Sequence, residues 1–192
     1  MTALAASSTA MTALAASSTA RSILWNNQGV AMNAINKVDM AIAKYAIGCL
    51  NSSSYNPANF ASMSSVISNS ATLAALAGSS TAMSALAGSS VAISAINNSS
   101  TAKNALYNVA TKLKKSGDSW QSSSGAAMDV HNGKGLFIRF TQSSSPGGSN
   151  GVYLDGSRVG ANETYYDTVQ KYNNKLAVCW YRNGSELAYI KL

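Results

Sequence analysis

Residues 68–107 read SNSATLAALA, GSSTAMSALA, GSSVAISAIN and NSSTAKNALY, four decapeptides in a single frame. Their shared core is Ser-Ser-x-Ala-Φ-x-Ala-Φ, in which the Φ pairs are Leu73/Leu76, Met83/Leu86, Ile93/Ile96 and Lys103/Leu106. The same frame opens the chain, where MTALAASSTA fills residues 1–10 and returns unchanged at 11–20. Degenerate copies appear as Met32-Asn33-Ala34-Ile35 and as Met63 with Val66. Self-similarity at a fixed period marks a chain assembled from one repeated supersecondary unit, so the period governs the fold.

The two Φ residues of each unit are three apart, which suits one face of a helix, and Ala, Leu and Met are good helix formers. A period of ten residues, however, advances a helix by about 1000° and leaves its apolar stripe rotated by about 80° at every repeat. That spiral is too fast for a coiled coil, which needs a seven- or eleven-residue period. The unit carries its own breaks. Gly78, Gly88 and Asn98 stand where a left-handed residue would end a helix, and Ser80, Ser90 and Ser100 where an N-cap would start the next. Each decapeptide therefore reads as two helical turns, broken and restarted at Ser-Ser. A β-solenoid of flat Ser/Thr/Ala coils is the competing reading, and a low-complexity linker the plainest one.

Ten residues fall short of a helical solenoid unit and of the ~12–15 residues at which isolated helices become marginal. On that argument the apolar faces must be covered by neighbouring chains. The expectation is a fibrous, trimeric stalk of short helices, with Leu73, Leu76, Met83, Leu86, Ile93, Ile96 and Leu106 as oligomerisation residues. Residues 29–50 (GVAMNAINKVDMAIAKYAIGCL) carry apolar residues at three- and four-residue steps and close on Gly48, which predicts one longer helix. NSSSYNPANF, residues 51–60, is a break around Pro57. The resulting division is stalk at 1–24, a docking or trimerising helical segment at 25–61, stalk again at 62–117, and a head at 118–192.

Composition narrows the function. Of the 192 residues only 11% are charged, against roughly 25% in ordinary globular domains. The net charge of +7 is concentrated: residues 103–116 hold Lys103, Lys112, Lys114 and Lys115 with no acid. So short a cluster reads as a solvated helix end rather than a nucleic-acid groove. Cys49 and Cys179 make neither a metal-ligand spacing nor a disulfide framework. The sequence opens without a secretory signal, and no apolar run reaches the ~20 residues that span a bilayer. No cofactor, metal, membrane or nucleic-acid partner is expected.

After Lys115, Gly, Asn and aromatic residues rise and short strands alternate with turn dipeptides. Asn183-Gly184 between KLAVCWYR and SELAYIKL, Asn132-Gly133 between AMDVH and GLFIRF, and Asp155-Gly156 between VYL and SRV predict hairpins in a small antiparallel all-β domain. SSSPGGSNG, residues 143–151, reads as a loop. His131, the sole histidine, has Asp129 two residues before it but no second metal-binding histidine, and Glu163 with Asp167 is the closest other acidic arrangement. Neither makes a convincing catalytic centre, so no catalytic residue is assigned. In the strand around Trp180, alternation sets Leu176, Val178 and Trp180 on one face and Ala177, Cys179 and Tyr181 on the other. Loop-borne Trp120, Tyr165 and Tyr166 are the candidate recognition residues, because aromatic rings among Asn and Gly offer contact area at low entropic cost.

The Ser-Ser-Thr-Ala-Met-x-Ala-Leu-Ala unit, over residues 1–24 and 62–113, resembles the decapeptide arrays of tailed-phage fibre and appendage proteins. That resemblance implies a virion location with assembly in the host cytoplasm, a homotrimer, contact with other virion proteins and a β-rich tip. The expected function is host-surface contact, to glycan or protein, through that tip. A purely structural head or tail decoration fibre is the alternative.

Overall fold

A computed structural model describes residues 1–119, 127–142, 151–160, 165–180 and 183–192. The chain divides into two units, Met1–Val109 and Ala110–Leu192. Among the described residues, ten helices fill the first and antiparallel sheets the second. The boundary lies at residue 109, so Thr111–Lys114, assigned above to a stalk ending at 117, is the first strand of the β unit. The three N-terminal segments drawn from sequence fall in one compact unit.

In that unit each decapeptide forms one short helix. The helices are α1 (Thr2–Ala6), α2 (Ser8–Ala16), α3 (Ser18–Asn26), α4 (Asn33–Ile35), α5 (Asp39–Gly48), α6 (Met63–Ile67), α7 (Ser70–Ala77), α8 (Ser80–Ala87), α9 (Ser90–Asn97) and α10 (Ser100–Val109). One extended residue per unit makes the corner: Ser7, Ser17, Asn69, Ser79 and Ser89 have φ between −89° and −112° and ψ between 107° and 119°. Each accepts a hydrogen bond on its side-chain oxygen from the backbone N–H three residues on, as from Ala82 to Ser79 and Ala92 to Ser89. The caps are thus the first Ser of each pair, one residue before the positions read from sequence, while Ser80, Ser90 and Ser100 begin the helices. Gly78, Gly88 and Asn98 are not left-handed either; their φ values are −75°, −77° and −81°. Because the next residue turns the chain in the extended region, no left-handed residue is needed.

The corners resolve the period problem. α2 packs on α5 and α5 on α8; α1 packs on α4, α6 on α9 and α7 on α10. Contact between helices three apart in these pairs means that three helices, about thirty residues, complete one coil, within the range of known helical solenoids. Ten residues are one side of a coil rather than a whole repeat. The expectation that partner chains must cover the Φ residues is corrected accordingly: Leu73, Leu76, Met83, Leu86, Ile96 and Leu106 are each 0% exposed within a single chain, and Ile93 is half-buried. The coil also divides residues 29–50. A π-helical turn at Gln28–Met32 leads into α4, and extended Val38 (φ −114°, ψ 115°) separates α4 from α5, so the predicted single helix is two. Gly48 lies at the end of α5 against α2, where a Cβ would stand 2.1 Å from the Ala15 carbonyl oxygen. Close approach, not helix termination, requires the glycine. Ser89 Oγ donates to the Asn36 carbonyl at 2.6 Å, and the Asp39 carboxylate accepts from the Met63 N–H at 3.2 Å, tying distant corners together.

The β unit has strands β1 (Thr111–Lys114), β2 (Met128–Asn132), β3 (Gly135–Thr141), β4 (Gly151–Leu154), β5 (Ser157–Val159), β6 (Tyr165–Tyr166), β7 (Gln170–Tyr172), β8 (Lys175–Cys179) and β9 (Glu186–Lys191). One antiparallel sheet runs β1-β9-β3-β6 with β7 also on β3; the other runs β2-β8-β4-β5. Both sheets feed one core of Phe137, Phe140, Val152, Leu154, Tyr172, Leu176, Val178, Trp180, Leu187 and Tyr189. Of the two faces that alternation separates here, the one carrying Leu176 and Val178 on β8 and Trp180 just beyond it lies in this core. A bulge between Phe137 and Arg139 absorbs one residue, so Phe137 and Phe140 point inward together although three apart.

Of the three dipeptides, only Asp155-Gly156 makes a hairpin, pairing β4 with β5 through Leu154 and Ser157. Asp155 (φ 50°) and Gly156 (φ 86°) are both left-handed, as a type I′ turn demands. At the two Asn-Gly sites only Gly133 and Gly184 have positive φ. There the chain passes from one sheet to the other, β2 to β3 and β8 to β9, and no hairpin forms. The 3.2 Å Lys114–Glu186 ion pair lies on this unit's β1 edge. Lys115 is 3% exposed, its ammonium donating to the Ser116 and Gly117 carbonyls and to Ser119. The basic cluster is hence spread over α10 and β1 and is not one solvated helix end.

Candidate functional site

Tyr165 and Tyr166, read from sequence as loop-borne, instead form strand β6 and pair with the end of β3, Tyr166 opposite Phe140 and Tyr165 opposite Thr141. Adjacent strand residues face opposite sides, so one ring meets the core and the other leaves it. Tyr166 turns inward. Its ring stacks on Phe137 at 5.7 Å and 24°, and its hydroxyl accepts from Gln170 Nε2. Gly160 lies beneath it with φ 59°; a Cβ there would fall 2.6 Å from the ring.

Tyr165 points outward and is 49% exposed. The Arg139 guanidinium lies 5.3 Å from its ring centroid, and its hydroxyl donates to Asp167 Oδ2 at 3.2 Å. An aromatic face, a cation and a carboxylate thus lie within one side chain's reach, with the ring held by the cation–π contact and the hydrogen bond. Such a cluster offers a flat apolar surface and both hydrogen-bonding senses, the requirements for gripping a sugar ring or a polar protein surface. Arg139 was not singled out from sequence; its signal is a lone charge in the apolar run GLFIRF. Trp120, the third candidate, lies outside the described residues, as do Tyr181, Glu163 and residues 143–150 of the loop.

His131 is held elsewhere. Its Nδ1 is 2.9 Å from the Tyr172 hydroxyl, and its ring lies 5.8 Å from Tyr172 and 5.9 Å from Tyr189. Desolvation first, and Lys191 second, lower its pKa and favour the neutral imidazole. Gly135 makes room for Tyr172, whose hydroxyl would be 2.1 Å from a Cβ at that position. Asp129, the other half of the formal His–Asp arrangement, pairs instead with Lys175 at 3.0 Å. This group reads as a packed aromatic cluster. Asp155 also serves structure: its carboxylate accepts from the N–H groups of Asn173, Asn174 and Lys175 at 2.7–2.9 Å, and these bonds, that to Asn173 foremost, lower its pKa.

In the helical unit, burial pushes the half-buried Cys49 thiol up to about 11, away from thiolate chemistry. Lys44 is 2% exposed and donates to the Pro57 carbonyl at 2.9 Å, and burial lowers its pKa. Among the described residues no group of three His, Cys, Asp or Glu side chains could hold a metal, and no helix is long and apolar enough to cross a membrane. No protein-family model matches the chain, and no curated protein matches it.

Proposed function

We propose that this protein is a non-enzymatic component of a virion appendage whose β unit contacts a host-surface glycan or protein through the Tyr165 patch. The observation carrying the recognition half of this reading is the half-exposed Tyr165 ring, held between the Arg139 guanidinium and the Asp167 carboxylate. An exposed aromatic fixed in advance loses little entropy on contact, which is the property of interface hot spots. The virion half rests on the resemblance of the decapeptides at residues 1–24 and 62–113 to phage appendage arrays. In this reading self-association, a homotrimer included, joins chains that are already folded, through surfaces other than the buried Φ pairs.

Tyr165→Ala separates recognition from folding. The ring lies outside the core, so its loss should change stability by no more than about 0.5 kcal/mol. It should weaken binding of the purified chain to bacterial cells or to a glycan array by about 2 kcal/mol, roughly thirtyfold. Equal binding by Tyr165→Ala and the unaltered chain would reject the patch. Absence of binding by either would leave the decoration role in its place.

A further inference from the structure

The third decapeptide frame, SSTARSILW at residues 17–25, departs from SSTAMTALA at residues 7–15 in one decisive place: Arg21 stands where Met11 stands. Met11 is 0% exposed, and Arg21 at the same inward position is 9% exposed. A guanidinium cannot lose its charge to escape burial, so such a position calls for a counter-charge. The unit cannot supply one. Its single acidic residue, Asp39, has both carboxylate oxygens on the Met63 N–H at 3.2 Å. Arg21 instead donates through Nη1 to the Ala15 carbonyl at 2.6 Å and through Nη2 to Asn51 Oδ1 at 3.2 Å. Two bonds fix the plane of the fork and leave three of its five N–H groups and its whole charge.

That fork lines an open cleft of about 390 Å³ together with Asn51, Ser52, Ser53, Tyr55 and Asn56. Ala16, Gly48 and Pro57 complete the lining, so its side-chain polar groups are amide, hydroxyl and phenol beside the guanidinium, with no carboxylate. The placement is strictly built: Asn51 holds φ 50°, Gly48 passes against Ala15 where no Cβ fits, and the Tyr45 hydroxyl donates to the Arg21 carbonyl at 3.1 Å. We infer that this cleft binds a phosphate-type oxyanion, which receives the remaining guanidinium N–H groups and the Ser and Asn donors and supplies the missing negative charge. The ion is either free phosphate or the phosphoryl group of a larger molecule such as a sugar phosphate.

The test uses the full chain, with inorganic phosphate and glucose 1-phosphate titrated separately and binding read by calorimetry and by the Arg21 Nε–H resonance. Saturable binding with a Kd of about 1 mM or tighter is expected. Tighter binding of inorganic phosphate identifies the free ion as the ligand, and tighter binding of the sugar phosphate identifies a carried phosphoryl group. Arg21→Lys should weaken binding at least about tenfold through loss of the fork. Asn51→Asp keeps Arg21 and tolerates the left-handed backbone while placing a carboxylate at the fork; it should abolish binding without lowering the melting temperature. No saturable binding by the unaltered chain, or undiminished binding by Asn51→Asp, overturns the inference.

Discussion

Leu86→Ala puts the self-contained coil under direct strain. Leu86 lies on α8, which packs on α5, and is 0% exposed. Truncation removes the transfer free energy of the lost carbons and leaves a cavity that short, cornered helices can close only in part, a cost of about 3 kcal/mol. For a unit the size of Met1–Val109, about 4 °C is lost per kcal/mol, so the helical unfolding transition should fall by about 12 °C. Ile23→Ala, at a residue 64% exposed, is the matched control and should stay within about 0.5 kcal/mol of the parent. The assay is thermal unfolding by circular dichroism at two protein concentrations about a hundredfold apart, because stability supplied by partner chains rises with concentration. The same 12 °C deficit at both concentrations is expected. A deficit that vanishes at high concentration would refute the reasoning, since Leu86 would then be covered by another chain.

Three further substitutions probe other parts of the account. Gly48→Ala drives a methyl group into the Ala15 carbonyl, and should cost about 2 kcal/mol or more by forcing α2 and α5 apart, read as a lower urea midpoint. Trp180→Ala empties the largest fully buried side chain among the described residues and should cost about 3–5 kcal/mol, read as loss of the β unit's near-ultraviolet dichroism at ambient temperature. The Asp155 carboxylate has its pKa lowered by the backbone N–H groups it accepts, so its contribution is present above the unfolded carboxylate range and is lost as pH falls through the folded value. Asp155→Asn should therefore lower stability at neutral pH and flatten the acid limb of the stability profile; a parallel profile would show that the loop bonds do not depend on the charge.

Much of this architecture is written in the sequence, but at one level only. The decapeptides fix helix length and the inward residues, so Leu73, Leu76, Met83 and Leu86 are legible as core before any fold is known. What covers them is not, because the corner depends on a single extended residue per unit, and a ten-residue period does not reveal that three sides close a coil. The same limit applies in the β unit. Alternation separates the two faces around Trp180 without choosing the core one, and Tyr165 and Tyr166, read as loop-borne, take opposite sides because pairing with β3 makes them a strand. The Asn-Gly dipeptides mislead because Gly133 and Gly184 supply one left-handed residue each, which permits a sharp turn without specifying that its flanking strands pair. Arg139 and Arg21 are visible as charges in apolar frames, yet their meaning depends on what lies opposite them.

The central claim is that the Φ residues of one chain are covered by that same chain. Isotope-filtered methyl NOE spectroscopy on an equal mixture of labelled and unlabelled protein separates contacts within a chain from contacts between chains. Intrachain NOEs should join α7 to α10 and α5 to α8, and the filtered spectrum should be empty for Leu73, Leu76, Met83 and Leu86. Interchain NOEs from those four side chains, with the intrachain set missing, would contradict the solenoid and restore an intertwined stalk.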